Sequence, residues 1–211
     1  MRDDGIKELP KLEEAKMLLE EAGRLNPGPW ISHSKYVAES ARLIALETRE
    51  LDSEKAYILG LLHDIGRREG VTDMHHIISG YNFLKEKKFD EAAKICLTHP
   101  FLVKKIECYS GKWDCSESEI EFIKDYLGNV EFNDYDRLIQ FCDAIAIPSG
   151  FCLIEKRMVD VVLRYGINDL TIDKWKITMD IKQYFENKIQ KSIYTILPGV
   201  VENTFDFKFV D

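Results

Sequence analysis

All five histidines of this 211-residue chain, His33, His63, His75, His76 and His99, fall within a window of 67 residues, and none occurs in the 112 that follow. A lone histidine is ordinarily a surface group or a hydrogen-bonded core residue, so clustering matters only where the surroundings ask for more. They do so at His63-Asp64, which closes the apolar run Ala56-Tyr57-Ile58-Leu59-Gly60-Leu61-Leu62. Apolar residues on more than one face imply a buried helix. An ionised aspartate beside an imidazole at its end is costly without a compensating cation. A second carboxylate with little local reason for its charge, Asp143, lies within Leu138-Ile139-Gln140-Phe141-Cys142-Asp143-Ala144-Ile145-Ala146. Nitrogen from His33 and His63 with oxygen from Asp64 and Asp143 makes a mixed donor set for a divalent metal, with positions left for water and substrate. Such a set is catalytic in character rather than structural. A zinc site from Cys96, His99, Cys108 and Cys115 is a competing reading, but it lacks paired CxxC spacing.

Helices must position these residues, because apolar positions recur with period 3.6 through most of the chain and alternating segments are scarce. The first helix is expected from about Pro10 to Arg24, with Glu13 and Glu14 in its first turn, where the helix dipole favours negative charge. Asn26-Pro27-Gly28-Pro29 then stops it. Ser32 is the expected cap of a second helix and Ser53 that of a third running to Gly66. Further helices are read over Met74 to Lys87, Asp90 to Thr98, a Ser116 to Glu119 capping box onward to Gly128, and Asp134 to Ile147. Beyond Pro148, helices near Cys152 to Arg164 and Thr171 to Ile189 precede an alternating tail, Thr204 to Val210, that is expected to be extended. The fold class is therefore all-α. With no repeat, low-complexity segment or linker, residues 1–211 are expected to form one domain.

Hydrophobic residues make up 45% of the chain and charged residues 31%, the balance of a globular protein. The 29 Lys and Arg against 37 Asp and Glu leave a net charge of -8. With no long basic run, this argues against a polymeric nucleic acid partner. A small phosphorylated substrate remains open, because a metal centre dominates the field of its own pocket. The opening residues lack the apolar core of a signal peptide, and no later stretch approaches the roughly 20 apolar residues that span a bilayer. A cytoplasmic protein without a membrane partner is expected. The five cysteines include no CxxC pair and are expected to be reduced thiols.

His33, then His63-Asp64, then a distant Asp143 is similar to the signature of the HD-domain superfamily of metal-dependent phosphohydrolases. The local wording resembles it too, in Trp30-Ile31-Ser32-His33-Ser34, Leu61-Leu62-His63-Asp64-Ile65-Gly66-Arg67 and Cys142-Asp143-Ala144. The resemblance covers about residues 30 to 148. It implies an all-α helical bundle, a metal held by those four side chains, and hydrolysis of a phosphomonoester or phosphodiester of a small molecule, with nucleotides the first class to consider. Some branches of the family carry two more histidines on a second metal, and His76 and His99 stand where these would be. His76-Ile77-Ile78-Ser79-Gly80 is similar to their His-Pro-Glu-Ile-Gly, with Ile77 in place of proline, and the glycine four residues on favours His76 over His75. In the dinuclear form Asp64 bridges, with His33, His63 and Asp143 on one ion and His76 and His99 on the other. Arg67 stands where a similar motif has a phosphate-contacting lysine, and a guanidinium can grip phosphate bidentately. The plain alternative is a solvated pair with Arg68 at a helix end. One or two ions of Mn, Fe, Co, Ni, Zn or Mg suit such donors. Two other functions are open on the same residues: a dinuclear-iron oxygenase, and a metal-binding signalling module without turnover.

Overall fold

The structure, a computed structural model, describes residues 9–206. It is all-α apart from one two-residue hairpin. Helices α1 (Leu12–Leu25), α2 (Trp30–Thr48) and α3 (Ser53–Leu62) lead into a 3-10 turn at Ile65–Glu69. Then come α4 (His75–Glu86), α5 (Asp90–Thr98), α6 (Glu117–Asn129) and α7 (Asp134–Ile145). Strands β1 (Ala146–Ile147) and β2 (Gly150–Phe151) pair antiparallel before α8 (Ile154–Tyr165), α9 (Thr171–Ile189) and α10 (Val200–Phe205). One apolar cluster runs from Ala15 of α1 through α2, α3, α5 and α7 to Phe185 of α9 and Val200 of α10. A smaller one, with Met74, Ile77, Leu97, Phe101 and Ile123, packs α4 and α5 against α6. No helix among the described residues is long and apolar enough to cross a membrane.

Several boundaries differ from the sequence expectation, each for a local reason. Ser32 does not cap α2. The helix starts at Trp30 behind Pro29, and the Trp30 indole N–H donates to the Asn26 carbonyl at 2.9 Å, so Ser32 and His33 already lie in the first turn. Asp52, not Ser53, caps α3, its carboxylate accepting the amides of Glu54 and Lys55. That helix ends at Leu62 instead of Gly66, because the backbone leaves α geometry at Asp64 and continues as the 3-10 turn. Helix α7 stops at Ile145, since a proline at 148 cannot donate to a helical ladder and disfavours helix at the residue before it. Thr204 and Phe205, expected in an extended tail, belong to α10; the rest of that expectation, from residue 207, lies outside the described residues.

Three glycines set the distances between the elements that carry the histidines and Asp64. A Cβ on Gly60 would stand 2.7 Å from Ala38 Cα, so α3 meets α2 backbone to backbone. At Gly66 it would stand 1.9 Å from the His76 carbonyl oxygen and 2.4 Å from the Gly80 amide nitrogen. The 3-10 turn therefore crosses the first turns of α4 through paired glycines, which brings Asp64 beside His76. Gly66→Ala is expected to cost about 3 kcal/mol or more, because the obstruction is rigid backbone, read as a fall in the urea midpoint of the full chain.

Candidate metal centre

Six side chains converge from five helix ends. His33 comes from the first turn of α2, His63 caps the C-terminus of α3, and Asp64 follows it. His76 lies in the first turn of α4, His99 caps the C-terminus of α5, and Asp143 sits in the last turn of α7. His63, Asp64, His76 and His99 are 1%, 4%, 2% and 4% exposed, a depth at which polar groups need partners. Asp143 is less buried than its apolar flanks suggest, its side chain 30% exposed where it faces the cleft.

The backbone settles which imidazole nitrogen carries the proton. His63 Nδ1 lies 2.7 Å from the Gly60 carbonyl, His76 Nδ1 is in contact with the Asp73 carbonyl, and His99 Nδ1 is 3.0 Å from the Cys96 carbonyl. A carbonyl oxygen only accepts, so each Nδ1 donates and each neutral ring turns an unprotonated Nε2 inward. Burial, with the neighbouring His63, pushes His99 down to about 3, and burial lowers His63 as well, which favours the neutral form of these two rings. Desolvation alone would raise the Asp64 carboxyl, but the Arg67 guanidinium beside it holds it well below the usual carboxylate range.

Asp64 divides this set between its two oxygens. Oδ1 lies 3.0 Å from His76 Nε2 and 3.6 Å from His99 Nε2, while Oδ2 lies 3.8 Å from His63 Nε2. His33 Nε2 and Asp143 Oδ1 are 2.8 Å apart, and the same oxygen is 3.8 Å from His63 Nε2. Donor atoms within 4.8 Å of one another form three overlapping groups: His33, His63 and Asp64; His63, His99 and Asp143; and Asp64, His76 and His99. Ligands bonded to one ion at about 2.0–2.2 Å stand about 3 Å apart, so such spacings leave room for metal between them. His63 Nε2, Asp64 Oδ1 and His76 Nε2 are fully buried and have no hydrogen-bond partner. Buried, unprotonated and unpartnered donors at one point are the arrangement a divalent cation satisfies.

The neighbouring residues hold this arrangement in place. Arg67 is not a solvated group at a helix end. Its Nε donates to Asp64 Oδ2 at 2.7 Å, its Nη1 to the Thr72 carbonyl at 3.3 Å, and it lines the cleft. His75 turns the other way, with Nδ1 at Ser79 Oγ and Nε2 3.5 Å from Glu119 of α6. The cysteines are free, and none joins a metal-ligating group among the described residues. Three positioning residues escaped the sequence reading. Buried Asp136 accepts from Lys94, from Thr98 Oγ at 2.7 Å and from the Asn133 amide, and buried Gln140 Nε2 donates to the Thr98 and Phe101 carbonyls. Together they pin the turn that presents His99 to α7. The Asn133-x-x-Asp136 capping box was a readable signal for the first. Asp114, which accepts the amides of Asp73 and His75 and so fixes the start of α4, left none. The centre opens into a cavity of about 440 Å³, within the range of small-molecule sites.

A family model described as the HD domain matches residues 30–147, over half of the chain. The chain belongs to the HD-domain family, a superfamily of metal-dependent phosphohydrolases. Ribonuclease Y of Chlorobium phaeovibrioides is 45% identical over 65 residues, which is 31% of this chain and 12% of that protein. Ribonuclease Y of Chlorobaculum tepidum is 45% identical over 56 residues, 26% of this chain and 10% of that protein. The likeness thus spans about a tenth of the length of these relatives. No solved structure matches the chain significantly.

Asp136→Ala is expected to destabilise the chain by about 3 kcal/mol, since it leaves Lys94, Thr98 and the cap of α7 unpartnered, with denaturant unfolding as the measurement. If His76 and His99 hold a second ion, metal analysis of freshly purified protein is expected to find about two equivalents, falling to about one when both are changed to alanine, whereas about one in both proteins confines the metal to His33, His63, Asp64 and Asp143.

Proposed function

We propose that the chain is a phosphohydrolase that uses one or two divalent metals to hydrolyse a phosphomonoester or phosphodiester of a small molecule, a nucleotide being the leading class. The observation that carries this reading is the division of the buried Asp64 carboxylate between His63 on one side and His76 and His99 on the other. His33, His63, Asp64 and Asp143 would hold one ion, and Asp64, His76 and His99 a second. A divalent ion supplies Lewis acidity toward phosphoryl oxygens and lowers the pKa of water from 15.7 toward about 7. The chain's own contribution is orientation. Gly60, Cys96 and Asp73 carbonyls fix the imidazole tautomers. Arg67 holds Asp64 Oδ2 through Nε and the Thr72 carbonyl through Nη1, which leaves Nη2 for a phosphate oxygen.

A cavity of about 440 Å³ and a net charge of -8 favour a small phosphorylated molecule over polymeric nucleic acid. The ribonuclease Y likeness, confined to about a tenth of those proteins, supports nucleotide chemistry without requiring an RNA chain. The same reading takes residues 1–211 as one HD domain and the protein as cytoplasmic, with no membrane partner.

The test is a screen of metal-supplemented protein against phosphate esters, nucleotides and a short oligoribonucleotide, run beside Asp64→Ala. Phosphate or nucleotide release by wild type, reduced to background in the variant, is expected. Equal release by both proteins overturns the mechanism, and oxygen uptake by iron-loaded protein with no release would point to the oxygenase. Cleavage of the oligoribonucleotide alone would replace the small-molecule substrate with RNA.

A further inference from the structure

Helices α8 and α9 lie beyond the segment that matches the family model, yet they build part of the same cavity. Arg157 of α8 and Lys174 of α9 line it together with Asp64, Arg67 and Asp143. Both are cations short of partners. Lys174 is partly buried, and its Nζ donates to the Cys108 carbonyl at 3.0 Å and to the Ser110 hydroxyl. No carboxylate pairs with it among the described residues, and burial lowers its pKa. The Nη1 of Arg157 donates to Asp160 Oδ2 at 2.8 Å, but Arg164 takes the same oxygen at 2.8 Å, so one carboxylate serves two guanidinium groups. The Nε of Arg157 is fully buried and has no hydrogen-bond partner.

In a chain of net charge -8, unmatched cations gathered in one cleft are a local exception. An ammonium with no carboxylate and a guanidinium that shares its only one are left partly desolvated with charge to spare, and an anion in the cleft relieves this. The free donors, Arg157 Nε–H and the remaining Lys174 N–H, come from two helices that line one cavity, with the Ser110 hydroxyl of a third segment beside Lys174. Donors arriving from several directions suit a tetrahedral phosphoryl group better than a planar carboxylate.

We propose that Arg157 and Lys174 form a second anion subsite in the cleft, so that the substrate carries two phosphoryl groups, one presented to the metal centre and one retained by α8 and α9. The role of the first group rests on the hydrolytic reading above; the subsite itself does not. Trp175 and Tyr165, also on the cavity wall, offer aromatic surface to the body of the molecule between the two groups.

Titration calorimetry on the full chain as purified, with AMP, ADP and adenosine 3′,5′-bisphosphate, tests the proposal while phosphate release is followed in the same solutions. Wild type is expected to bind at least one of the doubly phosphorylated ligands about tenfold more tightly than AMP. Arg157→Gln and Lys174→Met should each bring that ratio toward one, and Arg157→Lys and Lys174→Arg should keep part of it. Arg157 bonds only within its own helix, so Arg157→Gln decides the matter if Lys174→Met fails to fold. Equal affinities in wild type, or a ratio unchanged in Arg157→Gln, overturn the subsite. A ratio that behaves as expected with no phosphate released from any ligand leaves the subsite standing and counts against the hydrolytic reading.

Discussion

The architecture turns on one carboxylate. Asp64 is 4% exposed, stays ionised, and stands where α3 gives way to a 3-10 turn. A buried charge is tolerable only when opposite charge and hydrogen bonds are brought to it. Arg67 reaches back three residues to do so, and the chain delivers imidazole nitrogen to both of its oxygens. A cation accounts for what those contacts leave undone, since Asp64 Oδ1 still has no hydrogen-bond partner.

From that carboxylate outward, much of the surrounding structure serves as support. Paired glycines at 66 and 80 let the turn after Asp64 cross α4 at backbone distance, and Asp114 fixes where α4 starts. Asp136 and Gln140 tie the end of α5 to α7, so His99 and Asp143 are presented by elements bonded to each other. The histidines sit at helix starts and ends, where a ring can bond a carbonyl of its own turn and turn its other nitrogen inward. Rigid elements thus hold the donor set before any ion enters.

The cleft joins two parts with different charge. At the candidate metal centre, carboxylates and imidazole nitrogens suit a cation; on α8 and α9, cations with donors to spare suit an anion. On the proposed reading, a molecule with two phosphoryl groups fits between, one held by the cations while the ester oxygen of the other receives electrophilic help.

The sequence by itself determined the fold class and singled out the side chains that the structure brings together. Period-3.6 patterning marked the helices, and an apolar helix ending in His-Asp could not be reconciled with burial unless something compensated its charge. These properties are local, set by neighbours along the chain. Where α3 ends and which way His75 and His76 point were decided by tertiary packing: by backbone contact at Gly66, and by Glu119 and Asp64 on opposite sides of α4. The supports at Asp114 and Gln140, and the cations at 157 and 174, were silent for the same reason. Their partners lie on other elements, and a residue's distance from a partner on another helix is fixed only when the whole core has packed.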